Sequence, residues 1–193
     1  MVYNPIQYWE ERGTHYSGID VPKELDLFYS TVKNVLKPGD KILEVGSGYG
    51  RIYSYLQQTD LCNLKFTMCD FVDSFIVECK KRTGIKPDKW DGVTLPYSDS
   101  EFNLVISFAV LLHVPYDSIL NTIKEHARVG KYLFIDVWYE EGFTVETTDH
   151  CFLHDYYNLF NTANLIILKE VMYSKTRRHW LLQGGVCVDT NKI

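Results

Sequence analysis

Residues 41–51, Lys-Ile-Leu-Glu-Val-Gly-Ser-Gly-Tyr-Gly-Arg, constrain the fold more than any other stretch of the chain. Ile42, Leu43 and Val45 read as a short buried strand, and a helical pattern starts near Arg51. Between them stand Gly46, Gly48 and Gly50, alternating with Ser47 and Tyr49. Glycine lacks a Cβ, so such a turn can take positive φ and bring its backbone, with the free amides of the helix start, against a bound molecule. A strand, a glycine turn and a helix in succession therefore form a ligand cradle. A dinucleotide fingerprint, Gly-x-Gly-x-x-Gly, counted from Gly46 requires a glycine at position 51, where the chain has Arg51. A nicotinamide cofactor is disfavoured on that ground.

The spacing Glu44-x-Gly46-x-Gly48-x-Gly50 resembles motif I of the class I S-adenosylmethionine-dependent methyltransferases. Two further stretches are similar to the same family in the same order. Residues 90–114 run from Asp91-Gly92 through Leu95-Pro96 to an apolar strand ending near His113, and residues 130–135 read as the strand that follows. The resemblance covers roughly residues 38–140. It implies an α/β fold: a Rossmann-like three-layer sandwich with a mostly parallel seven-stranded sheet and an antiparallel C-terminal hairpin. It also implies S-adenosyl-L-methionine as cofactor. Carried over position by position, Glu44 with Gly46, Ser47, Gly48 and Gly50 shapes the methionine end. Asp70, closing the next apolar stretch, holds the ribose, because a carboxylate accepts hydrogen bonds from both hydroxyls. Phe71 lies against the adenine, and Asp91 with Gly92 contacts its edge. Ser107 and Phe108, where the central strand leaves the sheet, and Tyr16 in the aromatic N-terminal arm complete the cofactor set. For Asp70 and Asp91 a turn-capping role stands beside the cofactor role.

At 193 residues the chain fits one domain over 1–193, with an aromatic arm and helix over 1–37 and the core over 38–193. An apolar content of 46% with 15% aromatics suits a packed globular core rather than disorder. The formal net charge of −5 gives no footing to a polyanionic partner. Cys62, Cys69, Cys79, Cys151 and Cys187 are odd in number and lack Cys-x-x-Cys spacing, which points to reduced thiols in a cytoplasm. The first residues do not read as a signal peptide, and no apolar run approaches the roughly 18 residues that span a bilayer.

Along the chain, Tyr3, Tyr8, Trp9, His15 and Tyr16 form an arm with two open readings, a lid over the cofactor or a packing arm. Asp20 and Pro22 open a helix whose apolar face carries Leu25, Phe28, Val32, Val35 and Leu36. A helix over 51–58, a strand ending at Asp70, a helix over 73–83 and a short strand near 85–90 follow. After the central strand come a helix with Ile119, Ile123 and Ala127 inward and a strand over 132–137. Residues 138–150 read as an exposed loop and 151–162 as a helix. Leu165–Tyr173 and Trp180–Val188 read as a hairpin joined by residues 174–178.

Methyl transfer is an in-line displacement, so such a site must chiefly align donor and acceptor and sometimes take a proton. His113 is the candidate general base, since imidazole titrates near neutrality; a hydrogen bond to loop backbone is the alternative role. His150, His154 and Asp155 offer metal-ligand spacing without a third ligand at a telling position, so no metal is expected. They, with Asp136, Trp138 and Tyr139, suit an acceptor pocket or a helix cap. Arg177, Arg178, His179 and Trp180 suit an anion grip or a solvated hairpin tip. No Asn/Asp-Pro-Pro-aromatic element follows the central strand and no cysteine follows a proline, so a nucleic-acid acceptor is not expected. The resemblance implies methyl transfer to a small-molecule acceptor, with no membrane partner. The alternative is a binding protein or regulatory subunit that holds the cofactor without turnover.

Overall fold

The computed structural model describes residues 3–12, 22–139 and 150–184. Helix α1 (Pro5–Arg12) precedes α2 (Pro22–Val32), and β1 (Lys41–Val45) leads through the glycine turn to α3 (Arg51–Leu56). Then come β2 (Lys65–Asp70), α4 (Asp73–Thr83), β3 (Asp88–Lys89), β4 (Phe102–Phe108) and a 3-10 turn (Leu111–His113). The chain continues with α5 (Ile119–Val129), β5 (Gly130–Trp138), α6 (Tyr156–Thr162), β6 (Leu165–Met172) and β7 (Arg177–Gly184).

Seven strands form one sheet in the order β3-β2-β1-β4-β5-β7-β6. The first five run parallel, and β7 is antiparallel to both β5 and β6. This is the Rossmann-like sandwich with its C-terminal hairpin. Every position of β4 except Asn103 is buried, as a strand covered by helices on both faces requires. On one face Leu25, Phe28 and Val32 of α2, with Ile52 and Leu56 of α3, pack on Ile42, Leu104 and Phe134. On the other, Ile119 and Ile123 of α5 and Tyr156 and Phe160 of α6 pack on Leu133, Ile135 and Trp180.

Helices α2 and α3 end at Val32 and Leu56, short of Leu36 and residue 58 in the sequence reading, and three further boundaries differ, each for a local reason. Strand β3 starts only at Asp88, after Pro87, which has no amide to give a ladder. Strand β7 starts at Arg177, because Arg177 and Arg178 pair with Trp138 and Val137 rather than forming the hairpin tip. Helix α6 starts at Tyr156, capped by Asp155, whose carboxylate accepts from the Asn158 amide at 3.1 Å. Residues 151–154 are instead tied to the exit of β4: the Phe152 amide donates to the Leu112 carbonyl at 2.7 Å, and His154 Nε2 lies 2.9 Å from the Val114 carbonyl oxygen. Tyr16, Asp20 and most of the 138–150 loop lie outside the described residues.

Trp180 fixes the β7 side of this architecture. It is fully buried, with ring centroids 5.5 Å from Tyr156, 5.3 Å from Phe160 and 5.8 Å from Tyr139. Trp180→Ala is expected to lower the unfolding free energy by about 3–5 kcal/mol in urea titrations. A loss below about 1 kcal/mol would mean that α6 closes the gap without cost.

Candidate functional site

The strand order reverses between β1 and β4, and an open α/β sheet binds its ligand outside the carboxyl ends of the strands at such a point. The glycine turn lies there. Gly46 and Ser47 both donate their amides to the Cys69 carbonyl, at 2.9 and 3.1 Å, which stitches the turn to the end of β2. Gly46, Gly48 and Gly50 all have left-handed backbones, with φ of 69°, 53° and 74°. Their surroundings separate their roles. A Cβ on Gly46 would sit 2.6 Å from Val110 Cγ2, and one on Gly50 would strike Thr83 and lie 2.9 Å from Cys79 Sγ. Those two glycines let the turn pack against the β4 exit and α4. A Cβ on Gly48 would meet nothing within 4 Å, so this is the glycine whose backbone faces open space.

Asp70 is buried where β2 ends. Its Oδ2 accepts from the Gly48 amide at 2.8 Å and its Oδ1 from the Val72 amide at 2.9 Å, Val72 being the N-cap of α4. The capping role is thus present, while each carboxylate oxygen keeps a second lone pair for a ligand. Burial pushes the Asp70 carboxyl up to about 6, and the Val72 and Gly48 amides act in the opposite direction. Phe71 is half-buried, its ring 6.2 Å from Trp90. Asp91 is exposed and caps its own turn, its Oδ1 accepting from Val93 and Thr94 at 2.8 and 2.7 Å, with Gly92 at φ 87°. Asp70 and Asp91 therefore follow the ends of adjacent strands, since Asp70 pairs with Lys89 across the β2–β3 ladder.

Glu44 and Ser107 bring further acceptors to the same edge. Glu44 is buried near the end of β1, and its Oε2 has no hydrogen-bond partner among the described residues. Burial pushes its carboxyl up to about 8, opposed by the Arg51 guanidinium and reinforced by the Asp70 charge. Ser107 is opposite Val45 on β4, fully buried, with its Oγ likewise unpartnered among the described residues. Ser47 is buried in the turn itself. Phe108 is buried at the end of β4, with the Arg51 guanidinium 5.6 Å from its ring centroid.

Toward β5 and β7 the charges are paired within the chain. Asp136, buried opposite Phe108, is ion-paired with Arg177 and accepts from the Tyr173 hydroxyl at 2.6 Å. Arg177 Nε in turn donates to the Tyr173 hydroxyl at 3.0 Å. Burial lifts the Asp136 carboxyl to about 6, against the pull of Arg177 and Tyr173. The 177–180 quartet is not an anion grip: Arg177 is neutralised by Asp136 and Arg178 is paired with Glu170 at 2.7 Å. His179 is buried with Nε2 3.0 Å from Thr31 Oγ1, and Trp180 belongs to the core. The sequence reading missed Arg51 and Tyr173. An arginine seven residues after Glu44 was a signal for the first; nothing local marks Tyr173.

His113 ends the 3-10 turn after β4 with its Nδ1 2.7 Å from the His150 carbonyl oxygen. Burial pushes its imidazole down to about 4, so it is neutral at physiological pH and a weak base there. The ring of Trp9 meets it edge-on at 4.7 Å, and the His150 ring lies nearly parallel to it at 5.6 Å. Helix α1 lies across this end of the sheet: Glu10 accepts from the Asp73 amide at 2.7 Å, and Tyr8 stacks on His150 at 4.4 Å. His150 does not group with His154 and Asp155: His154 is bound to the Val114 carbonyl, and Asp155 takes the helix-cap role open to it in the sequence.

The strand order, the reversal at β1 and β4, and a glycine turn braced by an acid at the end of β2 define a Rossmann-like α/β domain. A family model described as a methyltransferase domain matches residues 42–132, a little under half of the chain, and in this stretch the chain resembles the class I S-adenosylmethionine-dependent methyltransferases. A probable tRNA methyltransferase 9B of Homo sapiens is 31% identical over 106 residues, 53% of this chain and 22% of that protein. A fatty-acid O-methyltransferase of Mycolicibacterium smegmatis is 29% identical over 112 residues, 56% of this chain and 40% of that protein. The chain thus spans well under half the length of these curated relatives. The crystal structure of a SAM-dependent methyltransferase from Aquifex aeolicus superposes with a TM-score of 0.67 at 20% identity, covering 88% of this chain and 97% of that one.

The buried Glu44 carboxyl makes a pH prediction. Between about 4.5, its ordinary value, and about 8, the folded chain keeps a proton that the unfolded chain releases, so this group costs stability increasingly as pH rises through that window. Thermal melting of Glu44→Gln and the unaltered chain should diverge in favour of the variant from pH 5 to 8 and run parallel above. Parallel curves across the whole range would show that Glu44 is already ionised in the fold.

Proposed function

We propose that the chain transfers a methyl group from S-adenosyl-L-methionine to a small-molecule acceptor. The observation that carries this reading is a left-handed glycine, Gly48, facing open space beside buried acceptor oxygens on Glu44, Ser107 and Asp70. A ligand bearing ammonium and hydroxyl donors fits that lining. Bound there, the cofactor supplies an electrophilic methyl group. In this reading Gly46, Ser47, Gly48, Gly50 and Glu44 hold its amino-acid end. Asp70 holds the ribose, and Phe71, Asp91, Gly92, Ser107, Phe108 and Tyr16 complete the pocket. The protein's contribution is alignment of donor and acceptor rather than strong base catalysis, given the depressed basicity of His113. His113, with a free lone pair on the nitrogen not held by the His150 carbonyl, suits an acceptor hydroxyl as a hydrogen-bond partner.

The two curated relatives are named for a tRNA and a fatty-acid acceptor. Charge favours the smaller acceptor here. The formal net charge is −5, and Arg82, Arg128, Arg177 and Arg178 are each paired with a carboxylate of this chain. A polyanion requires cations that release counterions on binding. Among the described residues no helix is long and apolar enough to cross a membrane. Cys62, Cys69 and Cys79 are free thiols, which suits a reducing cytoplasm. A second reading, a cofactor-binding protein without turnover, is favoured by the weak basicity of His113 alone.

Calorimetric titration with S-adenosylhomocysteine should give one-to-one binding, and absence of heat would remove both readings. Release of S-adenosylhomocysteine during incubation with metabolite extracts separates the enzyme from the binding protein. Asp70→Ala should weaken that binding by about 1–3 kcal/mol. Unchanged affinity, with a lowered melting temperature, would leave Asp70 a turn brace only.

A further inference from the structure

We propose that His113, His150 and Cys151 form a binding site for a thiophilic divalent cation of the zinc class. The three donors come from two elements that the sequence separates: the turn after β4 and the segment before α6. One potential ligating atom from each residue lies within 4.8 Å of the other two. Around a tetrahedral zinc ion, donors at bond lengths of about 2.0–2.3 Å stand roughly 3.5 Å apart. The triad therefore needs a contraction of about 1 Å, which rotation of the His150 and Cys151 side chains toward the fixed His113 ring can supply.

The donor types fit one another. Two neutral imidazoles and one thiolate select zinc and related ions over magnesium or calcium, which take oxygen. The contact of His113 Nδ1 with the His150 carbonyl at 2.7 Å fixes the ring. An ion on Nε2 would leave it as the outer hydrogen bond that metal-binding histidines ordinarily make. Tyr8 stacks on His150 and Trp9 meets His113 edge-on, so the aromatic rings of α1 cover the cluster. That cover lowers the local polarity and favours a metal–thiolate bond over hydrated ions. With three protein donors, a fourth tetrahedral position is left for water or for a thiol or hydroxyl of another molecule. The site shares His113 Nε2 with the acceptor role proposed above but none of the cofactor-pocket residues, so cofactor binding in metal-free protein tests a different claim.

The test uses the full chain stripped of metal and titrated with Co²⁺. One equivalent should produce a thiolate-to-cobalt charge-transfer absorption that Zn²⁺ abolishes. The absorption should vanish in Cys151→Ser, require about tenfold or more metal in His150→Ala, and persist in Cys62→Ser. On the unaltered chain, Zn²⁺ should slow alkylation of Cys151 by about tenfold or more, mapped cysteine by cysteine by mass spectrometry, and leave Cys62 unaffected. The proposal is overturned by the absence of a stoichiometric signal in the unaltered chain, by a signal that survives Cys151→Ser, or by protection of a different cysteine. The alkylation arm needs no variant to fold.

Discussion

The Asp70 carboxylate joins the three pieces of backbone on which the site depends. One oxygen holds the glycine turn after β1 through Gly48, and the other holds the cap of α4 through Val72. The carbonyl of Cys69 takes the Gly46 and Ser47 amides alongside. A turn with three left-handed glycines has much conformational entropy to lose, and the three bonds from the Gly46, Ser47 and Gly48 amides hold it to one shape. Burial makes the brace expensive to charge, and the raised Asp70 carboxyl records that cost. The same carboxylate thus orders the crevice and remains able to accept from a ligand.

Away from Asp70, the buried charges divide into two kinds. Asp136, Arg177 and Tyr173 satisfy one another and lock β7 to β5 where the hairpin joins the sheet. Removing one member would leave a buried charge without its partner, which is why such a group reads as architecture rather than as a spare cation for substrate. Glu44 is the opposite case. It is buried with an oxygen unpartnered among the described residues, and burial holds a proton on it against the opposing Arg51 charge. The satisfied trio holds the frame, and Glu44 and Ser107 bring these unpartnered oxygens to the point where the strand order reverses.

The parts legible in the sequence are those that depend on local pattern. Glycine spacing gave the turn, apolar runs gave β1, β2, β4 and β5, and the three-and-four spacing of Leu25, Phe28 and Val32 gave the inner face of α2. Illegible were contacts set by the meeting of distant segments. His113 and His150 are 37 positions apart and meet only because the chain before α6 bonds back to the β4 exit. His154 looked equivalent to His150 by spacing, yet the Val114 carbonyl takes it into the loop. Arg177 looked solvated because a basic run resembles a turn, and only pairing with Trp138 in the sheet buries it against Asp136. The resemblance located Asp70 and Asp91 alike, while the fold distinguishes a buried cross-brace from an exposed turn cap.

Helix α1 links these levels. At eight residues it is too short to be stable alone in water, so its order comes from the surface it covers. That surface consists of His113, His150, Phe75 and the first amide of α4, which Glu10 accepts from. All of it lies at the carboxyl end of the sheet, beside the Gly48 turn. The arm and the crevice therefore share one set of contacts: a change in the imidazole cluster or in the start of α4 alters what holds α1. The aromatic content of the N-terminal segment follows from this, since flat rings supply a large contact area for few ordered torsions over a surface of imidazoles and Phe75.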